Sequence, residues 1–310
     1  MLDISSLDDF HEFTTSDAFD FYESIRDQLP VAGFPANPIR LDNLGTLYDQ
    51  FDVFVFDAYG VLNTGLVGIQ GAAERIADLK QCGKQVFLLT NGASYNAKGT
   101  LEKFDNLGFN FQLNDIVPSR LAAERAMAAR TGVKLWGVIS GKLLQPDDLP
   151  ANFIEIHDEN TDCSNVNGFL LLSAVGITSG KINCLRKAMR ETARPLLVAN
   201  PDVVAPQNGP FSREPGFYSH RFAKEFNIKP EYYGKPFPVV FDIIHERIVG
   251  DVAPARIAMM GDTLHTDVLG AAAMGWKTVL VSDHGLFRGF DVDPFIKRSS
   301  IVPDYIVPSI

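Results

Sequence analysis

Asp52-Val53-Phe54-Val55-Phe56-Asp57-Ala58-Tyr59-Gly60-Val61-Leu62 is the stretch whose reading decides the fold. A nearly unbroken run of β-branched and aromatic residues reads as a parallel strand buried on both faces, and it stops at a carboxylate followed by a glycine turn. In open α/β sheets, ligands collect in the crevice outside the carboxyl ends of the strands. Asp57 stands at such an end, which makes it a candidate nucleophile or metal ligand. Tyr59 is the odd residue of the turn.

Working outward, residues 71–80 carry a helical pattern that ends at Gly83. The apolar run 85–89 then delivers Thr90, Asn91 and Gly92 to the rim that holds Asp57, because strand-helix-strand units run parallel and right-handed. Two more helical patterns, 97–107 and 121–130, precede a strand-like run at 135–140. From 132 to 210 the texture changes to loops rich in Asp, Asn and Pro, with apolar runs at 169–172 and 196–200 around a basic helix at 182–192. These residues are expected to form a second domain inserted into a core made of 1–131 and 211–310. The core pattern resumes with Gly234-Lys235-Pro236, a helix through 240–244, and a strand at 256–260 that ends in Gly261-Asp262-Thr263-Leu264-His265-Thr266-Asp267. A strand at 278–283 is expected to close the sheet. Residues 1–50 read as an extension packed on the core, with helix-like spacing over 17–25 broken by a Pro-rich patch at 34–38, and with no visible chemistry.

A chain of 310 residues with 46% hydrophobic content can bury a large core and is long enough for two domains. Its net charge of −10 argues against nucleic acid or an anionic membrane as a partner, since both require clustered Lys and Arg. A small phosphorylated metabolite still fits, because local lysines, backbone amides or a metal ion can receive phosphate on an acidic protein. Cys82, Cys163 and Cys184 are far apart with no CxxC spacing, so they read as reduced thiols and not as a zinc site. The acidic N-terminus, Met1 to Asp9, lacks the features of a signal peptide, and no apolar run approaches membrane-spanning length. A cytoplasmic location is therefore expected.

The chemistry-bearing residues fall at strand ends: Asp57, then Thr90 with Asn91, then Asp262 with Asp267. Two carboxylates from separate strands, joined by the Tyr59 carbonyl, make an all-oxygen set suited to Mg²⁺. The Thr90 hydroxyl and the Asn91 and Gly92 backbone amides can donate to phosphate oxygens, and Lys235 can offset the negative charge. Each motif alone has a blander reading. An Asp after a strand is often a helix cap, Thr90-Asn91-Gly92 a turn, Lys235 a solvated lysine, and His265 a surface histidine and not a base. Their order and their common placement at strand ends raise the site above those readings.

The series Asp57-x-x-Gly60-Val61-Leu62, Thr90-Asn91, Gly234-Lys235-Pro236 and Gly261-Asp262 with Asp267 resembles the four motifs of the haloacid dehalogenase superfamily. The sub-pattern is similar to its class IIA members, nucleotide- and sugar-phosphatase-like proteins with a large α/β cap between the second and third motifs. Asn200-Pro201-Asp202 also resembles a segment of that cap. The resemblance implies a doubly wound, Rossmann-like parallel α/β core with an inserted cap at 132–210. It also implies a Mg²⁺-dependent phosphatase of a small phosphorylated metabolite. It makes Asp57 the nucleophile that forms an aspartyl-phosphate, Thr90 the phosphate-holding hydroxyl, Lys235 the residue that orients the nucleophile, Asp262 a metal ligand and Asp267 a support of the metal shell. Any homo-oligomer is expected to form through the cap.

Tyr59 departs from the pattern, because phosphatases of the superfamily usually carry a second Asp there as proton shuttle. A phenol with an ordinary pKa of about 10 is a poor shuttle near neutrality. Two readings follow: a phosphohydrolase with a weakened general acid, favouring leaving groups that need little protonation, or a slow or inactive relative that binds a phosphorylated ligand in a regulatory role. A dinucleotide site is disfavoured, since no GxGxxG follows any strand.

Overall fold

The computed structural model describes residues 12–141, 143–207 and 209–310, so the acidic N-terminal stretch read above lies outside the described residues. Strands β1 (Ile39–Arg40), β2 (Val53–Phe56), β3 (Gln85–Thr90) and β4 (Ile116–Pro118) begin a core sheet. The chain then builds a second sheet from β5 (Trp136–Ile139), β6 (Phe153–Glu155), β7 (Gly168–Leu171), β8 (Leu196–Val198) and β9 (Glu231–Tyr232). It returns to the core with β10 (Ile257–Gly261), β11 (Lys277–Val281) and β12 (Tyr305–Val307). The core sheet has the order β1-β12-β11-β10-β2-β3-β4 and the second sheet β9-β8-β7-β5-β6. Every pairing in both is parallel.

The sheet faces follow from the period of two. Phe54 and Phe56 of β2 join Leu88 and Met260 on one face, while Val53 and Val55 join Phe87, Leu89 and Met259 on the other. Both faces are therefore covered, as an all-parallel sheet requires. Of helices α1 (Thr15–Ser24), α2 (Ala72–Gln81), α3 (Ala97–Asn106), α4 (Ser119–Ala129), α5 (Ser179–Glu191), α6 (Pro215–Phe226) and α7 (Pro238–Arg247), it is α2, α3, α4 and α7 that pack on the core strands, while α6 packs on β8 of the second sheet. Their starts obey local chemistry: Thr14 and Asp17 form a capping box at α1, Asn96 caps α3, and Pro215 and Pro238 occupy the first positions of α6 and α7.

Two expectations about the sheet change. The run at 278–283 does not close it, because β12 and then β1 lie beyond β11. These edge strands have only two or three residues, too short for periodicity to register, and β1 comes from the segment read as an extension. In the second sheet, β9 at Glu231–Tyr232 pairs with β8, so strands of that sheet extend past residue 210.

Helix α1 is not confined to the core. Phe13, just before the helix, and Phe21 within it pack on Phe217 of α6, at ring-centroid distances of 5.4 and 5.7 Å, while Phe19 packs on Phe295 at 5.1 Å on the core side. One continuous apolar cluster thus contains α1, strands and helices of the second unit, and core residues such as Leu264, Leu286 and Ile296. Cys163 and Cys184 are buried, Cys82 is exposed, and all three are free thiols. No helix among the described residues is long and apolar enough to cross a membrane.

Candidate active site

Three adjacent strands set the site. β2 lies between β10 and β3, so their carboxyl ends bring Asp57, Asp262 and Thr90 to one rim. The strand order, which no local pattern encodes, makes neighbours of residues more than two hundred positions apart. The turn after β2 is tight: Gly60 has φ +78°, and a β-carbon there would come within 2.7 Å of an Asp262 carboxylate oxygen. Only glycine accepts both the left-handed backbone and that approach. Past β10, a π-helical turn at Leu264–Val268 folds the chain back on itself. A β-carbon on Gly261 would overlap the Asp267 side chain at 2.1 Å, so glycine is again what allows the carboxylate to return.

Asp57, Asp262 and Asp267 are all buried, and each offers a carboxylate oxygen within 4.8 Å of the others. Lys235 reaches between them. Its Nζ lies 2.5 Å from Asp57 Oδ1 and 2.6 Å from Asp267 Oδ1, with the lysine 1% exposed. Burial alone would depress this ammonium, but Asp267, Asp57 and Asp202 outweigh it and hold Lys235 above its ordinary value. Burial pushes Asp57 up to about 6, with Lys235 pulling against it. Asp262 is held far above the usual carboxylate range, by burial first and then by Asp267 and Asp57, although it accepts from Leu286 N at 2.8 Å and Thr263 Oγ1 at 2.9 Å. Asp267 is further fixed by Thr263 N at 3.1 Å.

The loop after β3 is braced to the lysine. Asn91 Oδ1 accepts from Lys235 N at 2.7 Å, and Asn91 Nδ2 donates to Lys235 O at 3.0 Å and to Asp202 Oδ1 at 2.8 Å. Ser119 Oγ donates to the Asn91 carbonyl at 2.9 Å. Asn91's side chain therefore ties the second and third motifs together. Thr90 Oγ1 accepts from Gly92 N at 3.1 Å, which directs that amide to the hydroxyl. The predicted residues Asp57, Tyr59, Thr90, Asn91, Gly92 and Asp262 all line one cleft of about 620 Å³, open solvent at its mouth included, with Lys235 and Asp267 packed beneath.

Tyr59 lies partly buried on the wall of this cleft. Burial, then Glu214, Tyr95 and Asp57, push its phenol up to about 12. Lys103 of α3 is its neighbour, with Nζ 3.2 Å from the phenol oxygen and 4.3 Å from the ring centroid. Burial lowers Lys103 to about 8, against the pull of Asp57. A lysine within an amphipathic helical pattern gives no sequence signal that it faces a site, and it was not foreseen.

From the second unit, Asn200, Asp202 and Glu214 line the cleft opposite Asp57. Glu214 also carries no motif. It accepts from Asn200 Nδ2 at 2.9 Å and Ser212 Oγ at 2.7 Å, and burial raises it to about 7 while Ser212 pulls it down.

His265, read from sequence as a surface histidine, is fully buried. It stacks on Tyr22 at 5.1 Å, and its Nε2 lies 2.6 Å from Glu23 Oε1. The same helix α1 reaches the site's supports twice more. Thr15 Oγ1 donates to Leu286 O at 2.9 Å, and Tyr22's hydroxyl accepts from Val203 N at 3.0 Å, beside Asp202. Local pattern placed His265 at a helix start. That a helix from the opposite end of the chain covers it is a tertiary fact.

Family comparisons agree with this arrangement. Residues 54–146 match a family described as haloacid dehalogenase-like hydrolase, and residues 232–310 match a second HAD-hydrolase-like family. Together they span more than half of the chain. The chain is 24% identical to a 4-nitrophenylphosphatase of Schizosaccharomyces pombe, covering 84% of this chain and 93% of that protein. It is 27% identical to the glycerol-3-phosphate phosphatase of Homo sapiens, covering 90% and 96%. Among solved structures, a p-nitrophenyl phosphatase from Archaeoglobus fulgidus shares the fold with a TM-score of 0.68, at 20% identity and with 84% and 97% covered. The chain belongs to the haloacid dehalogenase-like hydrolases.

Proposed function

We propose that this protein is a Mg²⁺-dependent phosphatase of a small phosphorylated metabolite, acting through an aspartyl-phosphate on Asp57. The observation that carries the reading is Lys235 set between Asp57 and Asp267 at 2.5 and 2.6 Å, on the rim where β2, β3 and β10 end. The inserted unit, expected at 132–210 and taken here to continue through β9, is read as the cap that faces the substrate.

Three buried carboxylates, Asp57, Asp262 and Asp267, face one ammonium, that of Lys235, which leaves the site short of positive charge. A divalent cation fits it. Asp57, Asp262 and the Tyr59 carbonyl would hold Mg²⁺, with Asp267 supporting Asp262 and Lys235 from behind. When bound, the ion supplies charge that neutralises phosphoryl oxygens.

The remaining steps belong to the chain's own residues. Lys235 holds Asp57 ionised and aimed, so that a carboxylate oxygen attacks phosphorus while the bond to the leaving oxygen breaks. The Thr90 hydroxyl accepts from Gly92, which turns its own proton outward to a phosphoryl oxygen. Asn91 keeps the phosphate loop and the lysine in fixed relation. Water then hydrolyses the acyl phosphate and returns Asp57. Tyr59, pushed up to about 12, is a poor donor to the leaving oxygen, so phosphates of acidic alcohols, enols and phenols are the favoured substrates. The test is a phosphomonoester panel with Mg²⁺, comparing the wild type with Asp57→Asn. Turnover is expected to vanish in the variant, and turnover that survives the substitution sinks the reading.

Tyr59 also supports a second reading, in which the site binds a phosphorylated ligand without useful turnover. It predicts thermal stabilisation by phosphorylated ligands with negligible hydrolysis of every ester in the same panel.

A further inference from the structure

The phosphate cleft continues sideways past Tyr59. A second recess of about 350 Å³, open solvent included, is lined by Ala58, Tyr59, Thr90, Ser94, Tyr95 and Lys103 among others, and it shares Tyr59, Thr90, Gly92 and Ser94 with the cleft. Lys103 is placed there by its neighbour. Phe104 of α3 is buried in the core cluster, which leaves residue 103 on the flank of the helix that faces the rim. Its ammonium lies 4.3 Å from the Tyr59 ring centroid and 5.3 Å from that of Phe104, and it donates to the Tyr59 hydroxyl.

That is unusual company for a partly buried ammonium. A phenol and a ring face solvate the cation but do not neutralise it, and among the described residues no carboxylate forms an ion pair with Lys103. An ammonium has three N–H donors, so one bond to Tyr59 leaves two that can reach into the recess. Desolvated cations are ordinarily paired. Asp57 attracts this ammonium from a distance, but among the described residues no anion meets it directly.

We propose that this recess is a subsite for a second oxyanion of the substrate, a carboxylate or a further phosphate, with Lys103 as its counter-ion and the Tyr59 hydroxyl as a neighbouring polar contact. The inference rests on the phosphatase reading above and narrows its substrate class to phosphorylated metabolites carrying two anionic groups. Tyr59 thereby gains a positive role: its ring forms the wall between the subsites and its hydroxyl orients the lysine.

The experiment compares kcat/KM for matched pairs in wild type and Lys103→Met: glycerol 3-phosphate against 3-phosphoglycerate, and 1,3-propanediol monophosphate against its bisphosphate. Wild type is expected to prefer the doubly anionic member, and Lys103→Met to reduce that preference about tenfold, the scale of one charge-assisted contact. The carboxylate and bisphosphate arms tell which oxyanion is accepted. Lys103→Arg keeps the charge and should keep most of the preference, and Lys103→Gln serves if the Met variant does not fold. A wild type with no preference in either arm, or a variant that slows both members of each pair equally, overturns the subsite. If wild type hydrolyses none of the four, hydrolysis of 4-nitrophenyl phosphate decides the phosphatase reading, and calorimetric binding of the same four compounds decides the subsite separately. Equal affinities in wild type and variant then overturn it, and a selective loss for the doubly anionic compounds upholds it.

Discussion

Replacing Tyr59 with Asp tests the chemistry most directly, because it restores a carboxyl group where the phenol now stands. The phenol is held up at about 12, with Lys103 Nζ 3.2 Å from its oxygen and 4.3 Å from its ring centre. General acid-base help is worth roughly 10²–10⁴-fold, and a carboxyl group in this partly desolvated wall would titrate much nearer neutrality than the phenol. We expect Tyr59→Asp to raise kcat/KM for an alkyl phosphate about a hundredfold, which is about 2.7 kcal/mol of transition-state stabilisation. For 4-nitrophenyl phosphate, whose leaving group needs no proton, the gain should stay within about threefold. The same change removes the ring beneath Lys103 at a stability cost of about 1 kcal/mol, so activity is compared below the melting range of both proteins. The assay is phosphate release under kcat/KM conditions with Mg²⁺ over a series of leaving-group pKa values. A steep leaving-group dependence in wild type that flattens in the variant is the expected result. Equal gains for alkyl and aryl esters, or no gain for either, would refute the argument that Tyr59 limits proton donation.

Two predictions concern stability. Tyr22→Phe keeps the ring stacked on His265 but leaves the buried Val203 N–H without its acceptor, so denaturant unfolding should show a loss of about 1–3 kcal/mol; a change within about 0.5 kcal/mol would mean that α1 does not hold the second unit. His220 is buried, faces Gln28 and Tyr232, and burial lowers it to about 3. Its folded pKa lies below its unfolded one, so its contribution is complete above about pH 6.5 and is lost as pH falls from there toward about 3, at about 1.4 kcal/mol per unit. Between pH 7 and 5 the wild type should therefore lose about 2 kcal/mol more than His220→Gln in urea titrations, and parallel losses would refute the assignment.

By itself, the sequence determined which strands end in polar residues and in what order those strands come. Apolar runs of β-branched and aromatic residues that stop at an acid or a Thr-Asn pair are local signals, and β2, β3 and β10 lie within a residue or so of the runs that announced them. Helices α2, α3 and α7 were legible for the same reason, since periodicity and capping act within one or two turns. What only the tertiary structure decided is which distant residues share a neighbourhood. The Asn91–Lys235 brace joins residues 144 apart, the Lys103–Tyr59 contact 44 apart, and the His265–Glu23 contact 242 apart. Strand order and helix packing set such distances, and they depend on how the whole chain buries its apolar surface. That is why Asp57 could be picked out as a candidate from the end of its strand and the order of the other motifs, while the lysine beyond Tyr59 and the helix over His265 could not.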